Sequence, residues 1–451
     1  MPQSAVSSRS SYAEFVNPQW VRLLELLDMD VRYERCAGAE LFGEDGERYL
    51  DFLSGYCVHN TGHNHPRIIQ ALKDEMDRSG PAMLQSHVPE LAGELAQRLC
   101  KLAGGSLKKV FFASSGSEGV EAAIKFSRAT TKRNGLLYCE GAFHGLTCGA
   151  LSLMDNAFWR EGFGTLLPDT EAIPFGDIAR VEEKLRTRRF AAFFVEPIQS
   201  EGGIRVPPPE YLREVQTLCR KYGTMFVLDE VQTGMFRTGK FLAAHSFDVQ
   251  PDIVVLAKAL SGGLIPVAAV LMTDEISDAV YSSLRRAIVH TSTYSENGLA
   301  MRAGLATLDV LEGEDLGHRA IYLGDMLRAS LTEALEPYEM FKAAPGVGLL
   351  SGIEFRAPSK LMLRLSFEAF RAVHPGMFGQ MLVMRLFRQE KILTQICGNN
   401  FMVLKSAPPL IAEEKHIERF VSALTTVVDD MHNSTAFWTE SLGLARRAMN
   451  V

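Results

Sequence analysis

The middle of this chain alternates short, continuous apolar runs with segments of helical periodicity. Because the runs lack polar alternation, each is expected to be a strand buried on both faces. We predict strands at residues 108–113, 135–140, 189–198, 225–231, 252–257 and 266–272. Helices are predicted at residues 118–130 and 210–222. This order is typical of an α/β fold with a mostly parallel central sheet, in which ligands bind at the carboxyl ends of the strands.

The two flanks of this region have a different character. Residues 39–52 (AELFGEDGERYLDF) predict a β-hairpin with a turn at its centre, and residues 349–355 predict a strand. No linker rich in Pro, Gly or Ser separates the flanks from the middle, so tight packing is expected. We predict two domains, a large one over residues 76–335 and a smaller α+β domain built from residues 1–75 and 336–451.

Composition limits the kind of protein this can be. The hydrophobic fraction of 47% excludes a disordered chain, and a formal net charge of −7 argues against a nucleic-acid-binding surface. The 7 cysteines are scattered without a C-x-x-C pair, which favours reduced thiols. We find neither an apolar run long enough to span a membrane nor the apolar core of a signal peptide. We therefore expect a globular, cytoplasmic protein.

The first stretch that bears on chemistry is residues 113–118 (ASSGSE), between a predicted strand and a predicted helix. Small residues let backbone N–H groups approach an anion, and the helix N-terminus favours negative charge. The residues alone fit a phosphate site or an ordinary turn in which a serine caps the helix.

The second stretch is residues 227–234 (VLDEVQTG), where two carboxylates end an apolar strand. A carboxylate there needs a partner. The protonated ring nitrogen of a pyridine cofactor is one such partner, and a metal ion or a helix N-terminus is another.

The third stretch is residues 252–263 (DIVVLAKALSGG), in which one lysine follows an apolar strand. Partial burial lowers the pKa of such a lysine and favours Schiff-base chemistry. The alternative is a surface lysine.

These stretches, in this order, resemble the class III (ornithine-type, subgroup II) aminotransferases, which use pyridoxal 5'-phosphate. Asp229 and Lys258 are 29 residues apart, as the aspartate and Schiff-base lysine of that family are. Further matching stretches are residues 49–52 (YLDF), 62–66 (GHNHP), 143–145 (FHG), 196–199 (EPIQ), 236–239 (FRTG) and 406–410 (SAPPL). The resemblance implies a fold-type I enzyme that moves an amino group between an amine or amino acid and an oxo acid or aldehyde.

The resemblance also implies a role for individual residues. Lys258 would bind the cofactor covalently and move the proton at the substrate Cα, and Asp229 would pair with the pyridine nitrogen. The other implied cofactor contacts are Gly116 and Ser117 at the phosphate, Phe143 and Val231 on the two ring faces, Gln232 at the phenolic oxygen, His144 in a positioning role, and Thr293 at the phosphate of the neighbouring subunit. The last contact makes a homodimer with shared active sites the implied unit.

The sequence departs from the family where a substrate would bind. Many members have an arginine after the FHG motif, where this chain has Leu146, and an arginine two residues before the APP motif, where it has Lys405. Leu146 cannot bind an anion, and lysine lacks the bidentate geometry of arginine. Glu201 matches a glutamate that holds this arginine aside, so we expect a Glu201–Lys405 pair. Tyr56 matches a substrate-pocket tyrosine, although simple packing explains it equally well.

Residues 357–383 match no part of the family pattern. Their apolar residues predict either an extra packed helix, which we prefer, or a lid for a bulky or carrier-bound (protein or lipid) substrate. The H-x-H spacing of His63 and His65, with His59 nearby, could suggest a metal site, but their place in the GHNHP turn favours a structural role. We predict no metal.

Two other functions stay open at this stage. The same cofactor could support acyl transfer, decarboxylation or an aminomutase reaction. The chain could also be a non-catalytic, partner-binding homologue, against which the intact Lys258 and Asp229 argue. The substitutions at 146 and 405 favour an ω-amine or a longer apolar substrate over acetylornithine.

Overall fold

The computed structural model describes residues 8–84, 86–373 and 376–449. The amino-terminal part holds helices and a small antiparallel meander. Its elements are α1 (Ser8–Phe15), α2 (Pro18–Leu26), β1 (Tyr33–Ala37), β2 (Glu40–Gly43), β3 (Arg48–Asp51), α3 (Ser54–Cys57), α4 (Pro66–Asp77) and α5 (Glu90–Ala103). The predicted hairpin is present as β2 and β3, and Asp45 accepts a hydrogen bond from the backbone N–H of Glu47 in the turn.

The central part alternates strands with helices, as the apolar pattern predicts. Its elements are β4 (Lys109–Ala113), α6 (Gly116–Thr131), β5 (Gly135–Cys139), α7 (Cys148–Leu151), α8 (Ala157–Arg160), β6 (Thr170–Ile173), α9 (Ile178–Arg186), β7 (Phe190–Val195), α10 (Tyr211–Tyr222), β8 (Met225–Asp229), β9 (Ile253–Leu256), β10 (Ala268–Met272), α11 (Asp274–Val280), α12 (Gly298–Gly313) and α13 (Leu316–Leu335). Short 3₁₀ turns occur at Ala243–His245, Lys258–Ser261 and Leu284–Arg286.

Seven of these strands form one sheet in the order β4-β10-β9-β8-β7-β5-β6. Strand β10 runs antiparallel to both of its neighbours, and the other pairs are parallel. Along β7, Phe193 packs in the core on one face and Phe194 in the core on the other. Burial on both faces explains the continuous apolar runs, and the fold class is confirmed.

Helix α6 packs against this sheet at close range. A Cβ atom at Gly119 would lie 2.8 Å from Cγ1 of Val255 on β9, so the glycine permits the approach. The N-terminus of α6 is capped by Ser115, whose Oγ accepts a hydrogen bond from the backbone N–H of Glu118 at 3.2 Å. The cap therefore fixes where the helix begins, directly after β4.

The carboxyl-terminal part forms the rest of the molecule. Its elements are β11 (Phe341–Ala343), β12 (Gly346–Val347), β13 (Leu350–Phe355), α14 (Leu361–Val373), α15 (Phe378–Glu390), β14 (Ile392–Leu393), β15 (Gln395–Cys397), β16 (Asn400–Ser406), α16 (Glu414–Asn433) and α17 (Thr435–Met449). Strands β11, β13, β16 and β15 lie side by side in a second sheet, in which β12 pairs with β13.

The two chain ends meet in a third sheet of order β1-β2-β3-β14. In the parallel pair of β3 and β14, Leu50 faces Ile392. Phe52 stacks on Phe420 of α16 with ring centroids 4.2 Å apart. These contacts are what a small domain made from both ends requires, although the boundaries at residues 75 and 335 stay a prediction.

Arg237 joins the central part to both flanks. Its guanidinium is fully buried and donates hydrogen bonds to the carbonyls of Leu349 and Pro408 and to the side chains of Ser54 and Asn60. The pKa of Arg237 is lowered because burial disfavours its charge. Four acceptors from distant segments therefore depend on one side chain.

Residues 357–383 form helix α14 and the start of α15, apart from residues 374 and 375, which lie outside the described part. Phe367 and Phe370 are fully buried, and both make edge-to-face contacts with Trp438 of α17. This agrees with the packed helix that we preferred. No helix among the described residues is both long and apolar enough to cross a membrane.

Candidate active site

The loops that follow β4, β5, β7, β8 and β9 converge on one cavity of about 430 Å³. All five strands point the same way, so their carboxyl ends lie at the same edge of the sheet. The cavity lining includes Ser114–Ser117, Phe143, His144, Glu196, Asp229, Val231, Gln232 and Lys258. Six predicted cofactor residues and the catalytic pair thus face one space.

One wall of the cavity is the N-terminus of α6. Gly116 and Ser117 are its first two residues, where backbone N–H groups have no partner within the helix. Ser117 Oγ accepts a hydrogen bond from the backbone N–H of Leu146 at 3.3 Å. The backbone of Gly145, with φ of 128°, lies against Ser117. A Cβ at residue 145 would lie 2.1 Å from Ser117 Oγ. The result is an anion cradle that a side chain at 145 would block.

Asp229 is the last residue of β8 and is almost fully buried. Its Oδ2 lies 2.8 Å from Nδ1 of His144, and its Oδ1 accepts a hydrogen bond from the backbone N–H of Val231 at 3.1 Å. Burial alone would lower the pKa of His144, but the hydrogen bond to Asp229 outweighs it and the pKa is raised. Asp229 therefore holds the His144 ring in place and favours its protonated form.

Glu196 belongs to the same cluster, although the sequence singled it out only as part of the EPIQ stretch. It follows β7, and its carboxylate accepts hydrogen bonds from the backbone N–H groups of Phe143 at 3.0 Å and Ser200 at 3.3 Å. Burial raises the pKa of Glu196 to about 7. Glu196 thus fixes the position of the Phe143 backbone at the cavity wall.

Lys258 follows β9 and opens the 3₁₀ turn Lys258–Ser261. Its backbone has φ of 43°, a left-handed conformation that is costly for a residue with a side chain. Burial lowers the pKa of Lys258, and the opposing effect of Asp229 is smaller. A lysine with these properties is a better nucleophile and base near neutral pH than a surface lysine.

The cavity has apolar walls whose anchors the sequence did not reveal. Val231 and Phe143 both face it, and the ring of Phe143 makes an edge-to-face contact with Trp159 at 5.4 Å. Asn399 accepts a hydrogen bond from Trp159 Nε1 at 3.0 Å and donates to the carbonyls of residues 141 and 142. Asn399 is 240 residues from Trp159 in the chain, so no local pattern could have indicated this link.

Glu201 and Lys405 are in contact in the interior beside the cavity. Glu201 also accepts hydrogen bonds from Gln232 Nε2 at 3.1 Å and from the backbone N–H of Gly398 at 2.8 Å. Burial would lower the pKa of Lys405, but Glu201 raises it above its ordinary value, and Lys405 in turn lowers the pKa of Glu201. Lys405 Nζ lies 5.2 Å from the ring centre of Tyr56. Tyr56, Glu201, Gln232 and Lys405 thus form one cluster in which the charges of Glu201 and Lys405 balance.

Five predicted residues do not line this cavity. Tyr56, Glu201 and Lys405 form the cluster described above, and the other two are Leu146 and Thr293. Leu146 is 53% exposed and lines a larger, neighbouring groove instead. Thr293 is exposed and is not part of the cavity wall of its own chain. The implied role of Thr293 in a neighbouring subunit stays a prediction.

The histidines of the GHNHP region have partners of their own. His63 Nε2 lies 2.7 Å from Asp51, and His65 Nε2 lies 3.2 Å from Glu314. His59 stacks on His63 at 3.9 Å, and burial, together with His63, lowers the pKa of His59 to about 4. Across residues 8–84, 86–373 and 376–449, no three His, Cys, Asp or Glu side chains are grouped as metal ligands.

The residues at this cavity fit pyridoxal 5'-phosphate. An anion cradle, a buried carboxylate, a lysine of lowered pKa and two apolar walls match the phosphate, ring nitrogen, aldehyde and ring faces of that cofactor. Gly116, Ser117, Asp229, Lys258 and the walls would hold it. The volume is also in the range of small-molecule sites.

Comparisons with known proteins agree with this fit. Aminotransferase PigE of a Serratia species is 36% identical over 93% of this chain, which spans 53%, about half, of that protein. Putrescine aminotransferase of Pectobacterium atrosepticum is 34% identical over 94% of this chain and 89% of its own length. The solved, cofactor-bound structure of an amine transaminase from an uncultivated Pseudomonas species has a TM-score of 0.80 at 26% identity, covering 94% of this chain and 96% of that one.

A family-level match covers nearly the whole chain. Residues 26–428 match the family described as aminotransferase class-III. Members of this family have the fold-type I architecture and use pyridoxal 5'-phosphate to transfer amino groups, in agreement with the sheet, the cavity and the lysine described above. The chain belongs to the class-III aminotransferase family.

Proposed function

We propose that this protein transfers an amino group from a primary amine to an oxo acid or aldehyde, with Lys258 and Asp229 as its catalytic residues. The observation that carries the proposal is that Lys258, Asp229 and the N-terminus of α6 face the same cavity. The named relatives, a putrescine aminotransferase and an amine transaminase, support an amine as the donor.

When bound, pyridoxal 5'-phosphate supplies a cationic ring that withdraws electrons from the substrate carbon that carries the amine. Lys258 Nζ takes the proton from that carbon, and burial favours this role because it lowers the pKa of the amine. Asp229, which lines the cavity, would present its carboxylate to the ring nitrogen. His144 holds the Asp229 carboxylate in place through the 2.8 Å hydrogen bond.

The remaining contacts bind and orient the cofactor. Gly116 and Ser117 hold the phosphate with backbone N–H groups and a hydroxyl. Phe143 and Val231 exclude water from the two ring faces. Gln232 presents its amide to the phenolic oxygen, and its orientation is fixed because Ser200 donates to Gln232 Oε1 at 2.9 Å while Glu201 accepts from Gln232 Nε2.

The substrate-binding residues favour a donor without a carboxylate beside the amine. Leu146 offers no charge, and the charge of Lys405 is neutralised by Glu201, with which it is in contact. The ring of Tyr56, which lines the neighbouring groove, lies 5.2 Å from Lys405 Nζ. A dicarboxylic amino acid would therefore find no free cation among these residues.

A half-reaction experiment tests the proposal. The purified, cofactor-loaded protein is mixed with single amine donors and no acceptor, and the bound cofactor is followed by absorbance and by mass spectrometry. We expect stoichiometric conversion of the cofactor to its amine form together with release of the oxo product. Retention of the aldehyde form with decarboxylated or acylated product would instead establish one of the other cofactor reactions. Lys258→Ala is the control and must abolish conversion.

We also propose a homodimer in which Thr293 completes the cavity of the neighbouring subunit. Complementation tests this arrangement. Mixed dimers of Lys258→Ala and Thr293→Glu chains should regain activity, because one of their two cavities receives native Lys258 and native Thr293. If Thr293 acted within its own chain, both cavities would be defective and no activity would return.

We further propose a cytoplasmic location. All 7 cysteines are free, including the exposed Cys148, as expected for a reducing compartment. Cell fractionation with antibody detection is the test, and recovery of the protein with secreted or membrane fractions would contradict it.

A further inference from the structure

A second, much larger space opens beside the cofactor cavity. This groove has a volume of about 1840 Å³ and shares three residues with the cavity, Phe143, Gln232 and Lys258. Whatever fills the groove therefore lies next to the reacting lysine. The groove extends well beyond Tyr56, Leu146 and Glu201, the substrate-binding residues that line it.

The groove collects apolar side chains that the fold leaves exposed. Six large ones line it, with exposed fractions from 37% to 70%: Trp20, Leu23, Tyr56, Leu146, Phe158 and Phe401. They come from five separate stretches of the chain. Exposed aromatic and aliphatic side chains that converge on one concave surface indicate an apolar ligand.

Helix α2 forms one wall of this groove. Gln19, Trp20, Arg22, Leu23 and residues 25–28 all line it, and no residue of α2 is fully buried. The helix is nevertheless well fixed, since Pro18 begins it and the Asn17 side chain caps it by accepting from two backbone N–H groups at 3.1 Å. A capped helix whose apolar side chains face a groove is a preformed binding wall.

The opposite wall is rigid as well. Phe158 packs edge-to-face on Trp159 at 4.9 Å, and Asn399 holds Trp159 through its ring N–H. Met377, between α14 and α15, and Ile396 of β15 complete this side. Gly376 and Met377, just before α15, thus contribute to the groove, while helix α14 packs elsewhere.

The charges in the groove fall into two groups. Glu201 and Lys258 lie where the groove meets the cavity, and Glu201 is neutralised by Lys405. Arg22, Glu25 and Asp28 lie on or next to α2. Between these groups the lining is uncharged. A substrate tail there would gain binding free energy by burying its CH₂ groups and would form no ion pair.

We propose that this groove binds the aliphatic chain of the substrate, so that the preferred donors are long, unbranched primary amines with the amino group at Lys258. This inference rests on the proposed amine transfer and names its substrate class. The continuity of the groove with the lysine selects this occupant over a segment of another protein.

The test is a series of n-alkylamines from butylamine to dodecylamine with one fixed oxo-acid acceptor. Each added CH₂ group should raise kcat/KM about fourfold until the groove is filled. The gain should appear in KM, because tail binding is the same in the ground state and the transition state.

Leu23→Glu is the diagnostic variant, since the side chain of Leu23 lines the groove and is already 43% exposed. It should lower kcat/KM for decylamine at least tenfold and leave butylamine unchanged. Leu23→Ala should lower kcat/KM for decylamine by a smaller factor and should also leave butylamine unchanged. Leu361→Glu, at a similarly exposed position outside the groove lining, is the matched control and should behave as the native protein.

A binding readout that needs no turnover uses tryptophan fluorescence. Two of the 3 tryptophans, Trp20 and Trp159, line the groove, while Trp438 is buried elsewhere. In Lys258→Ala protein, decanol should shift the emission and butanol should not. The Leu23→Glu change made in that background should abolish the shift.

The outcomes separate this inference from the proposed function. If no amine converts the cofactor, the proposed function fails. If butylamine reacts but longer chains gain nothing, only the groove assignment is overturned. If Leu23→Glu splits a dimer during gel filtration while the chain-length dependence persists, the groove is covered by a second subunit, and the assignment is likewise overturned.

Discussion

Substitution of Gly145 by alanine should weaken cofactor binding by crowding Ser117. The new Cβ would lie 2.1 Å from Ser117 Oγ, 2.9 Å from its Cβ and 3.1 Å from its Cα. Rotation of the hydroxyl relieves only the first contact, because the other two atoms belong to the first turn of α6. The helix N-terminus or the residue 145 backbone must therefore move, and the anion cradle opens.

The magnitude follows from the contacts that are lost. A hydrogen bond to a charged group contributes about 1.5–3 kcal/mol, so losing that of Ser117 to the phosphate should weaken cofactor affinity by about 10- to 100-fold. The left-handed backbone at 145 adds strain of about 1–3 kcal/mol, which lowers the stability of the protein with or without cofactor.

Gly162→Ala is a control that separates the two effects. Gly162 also has positive φ, 84°, but a Cβ there would meet nothing within 4 Å. Both variants should lose thermal stability without cofactor, and only Gly145→Ala should bind the cofactor more weakly in equilibrium dialysis. Native affinity in Gly145→Ala, or an equal loss in Gly162→Ala, would refute the reasoning.

Three further outcomes are expected. Arg237→Met should lower the free energy of unfolding by about 3 kcal/mol or more, measured by denaturant titration, because at least two buried carbonyls lose their donor. Burial raises the pKa of Glu230 to about 7, so its contribution to stability is complete below about pH 4.5 and is lost as the pH rises through 7. Glu230→Gln should therefore reduce the fall in unfolding free energy between pH 5 and 8 by up to about 3 kcal/mol. In cofactor-free protein, the lowered pKa of Lys258 should let it react with an amine-acylating reagent at a lower pH than Lys360 does, measured by mass spectrometry; equal labelling profiles would contradict it.

The central sheet could be predicted because its burial leaves a mark in the sequence. Strand β7 was expected at residues 189–198 and spans Phe190–Val195, since every residue of it is buried. Strand β6 was missed because its four residues include a threonine and a glutamate and form no apolar run. The antiparallel direction of β10 was also beyond prediction, because burial on both faces makes a run apolar whichever way it points.

The site could be predicted where residues follow strand ends and less well where distant segments meet. Lys258 and Asp229 belong to local motifs, so their convergence follows from a parallel sheet. The link from Asn399 to Trp159 joins the second sheet to a loop after β5, and tertiary packing alone determines it. Glu196 could have been predicted as a site residue by the reasoning used for Asp229, because a carboxylate at the end of a buried apolar strand needs a partner.

The pairing of β3 with β14 has a consequence for how the chain is made. Leu50 leaves the ribosome long before Ile392, and at roughly 5–20 residues per second the delay is on the order of tens of seconds. During that time the side of β3 that later pairs with β14 is an open sheet edge. Tyr49 and Leu50 of this strand and Phe52, which follows it, are almost wholly buried in the finished protein. Such an edge is open to pairing with other chains. The nascent protein should therefore depend on chaperones until β14 has been synthesised.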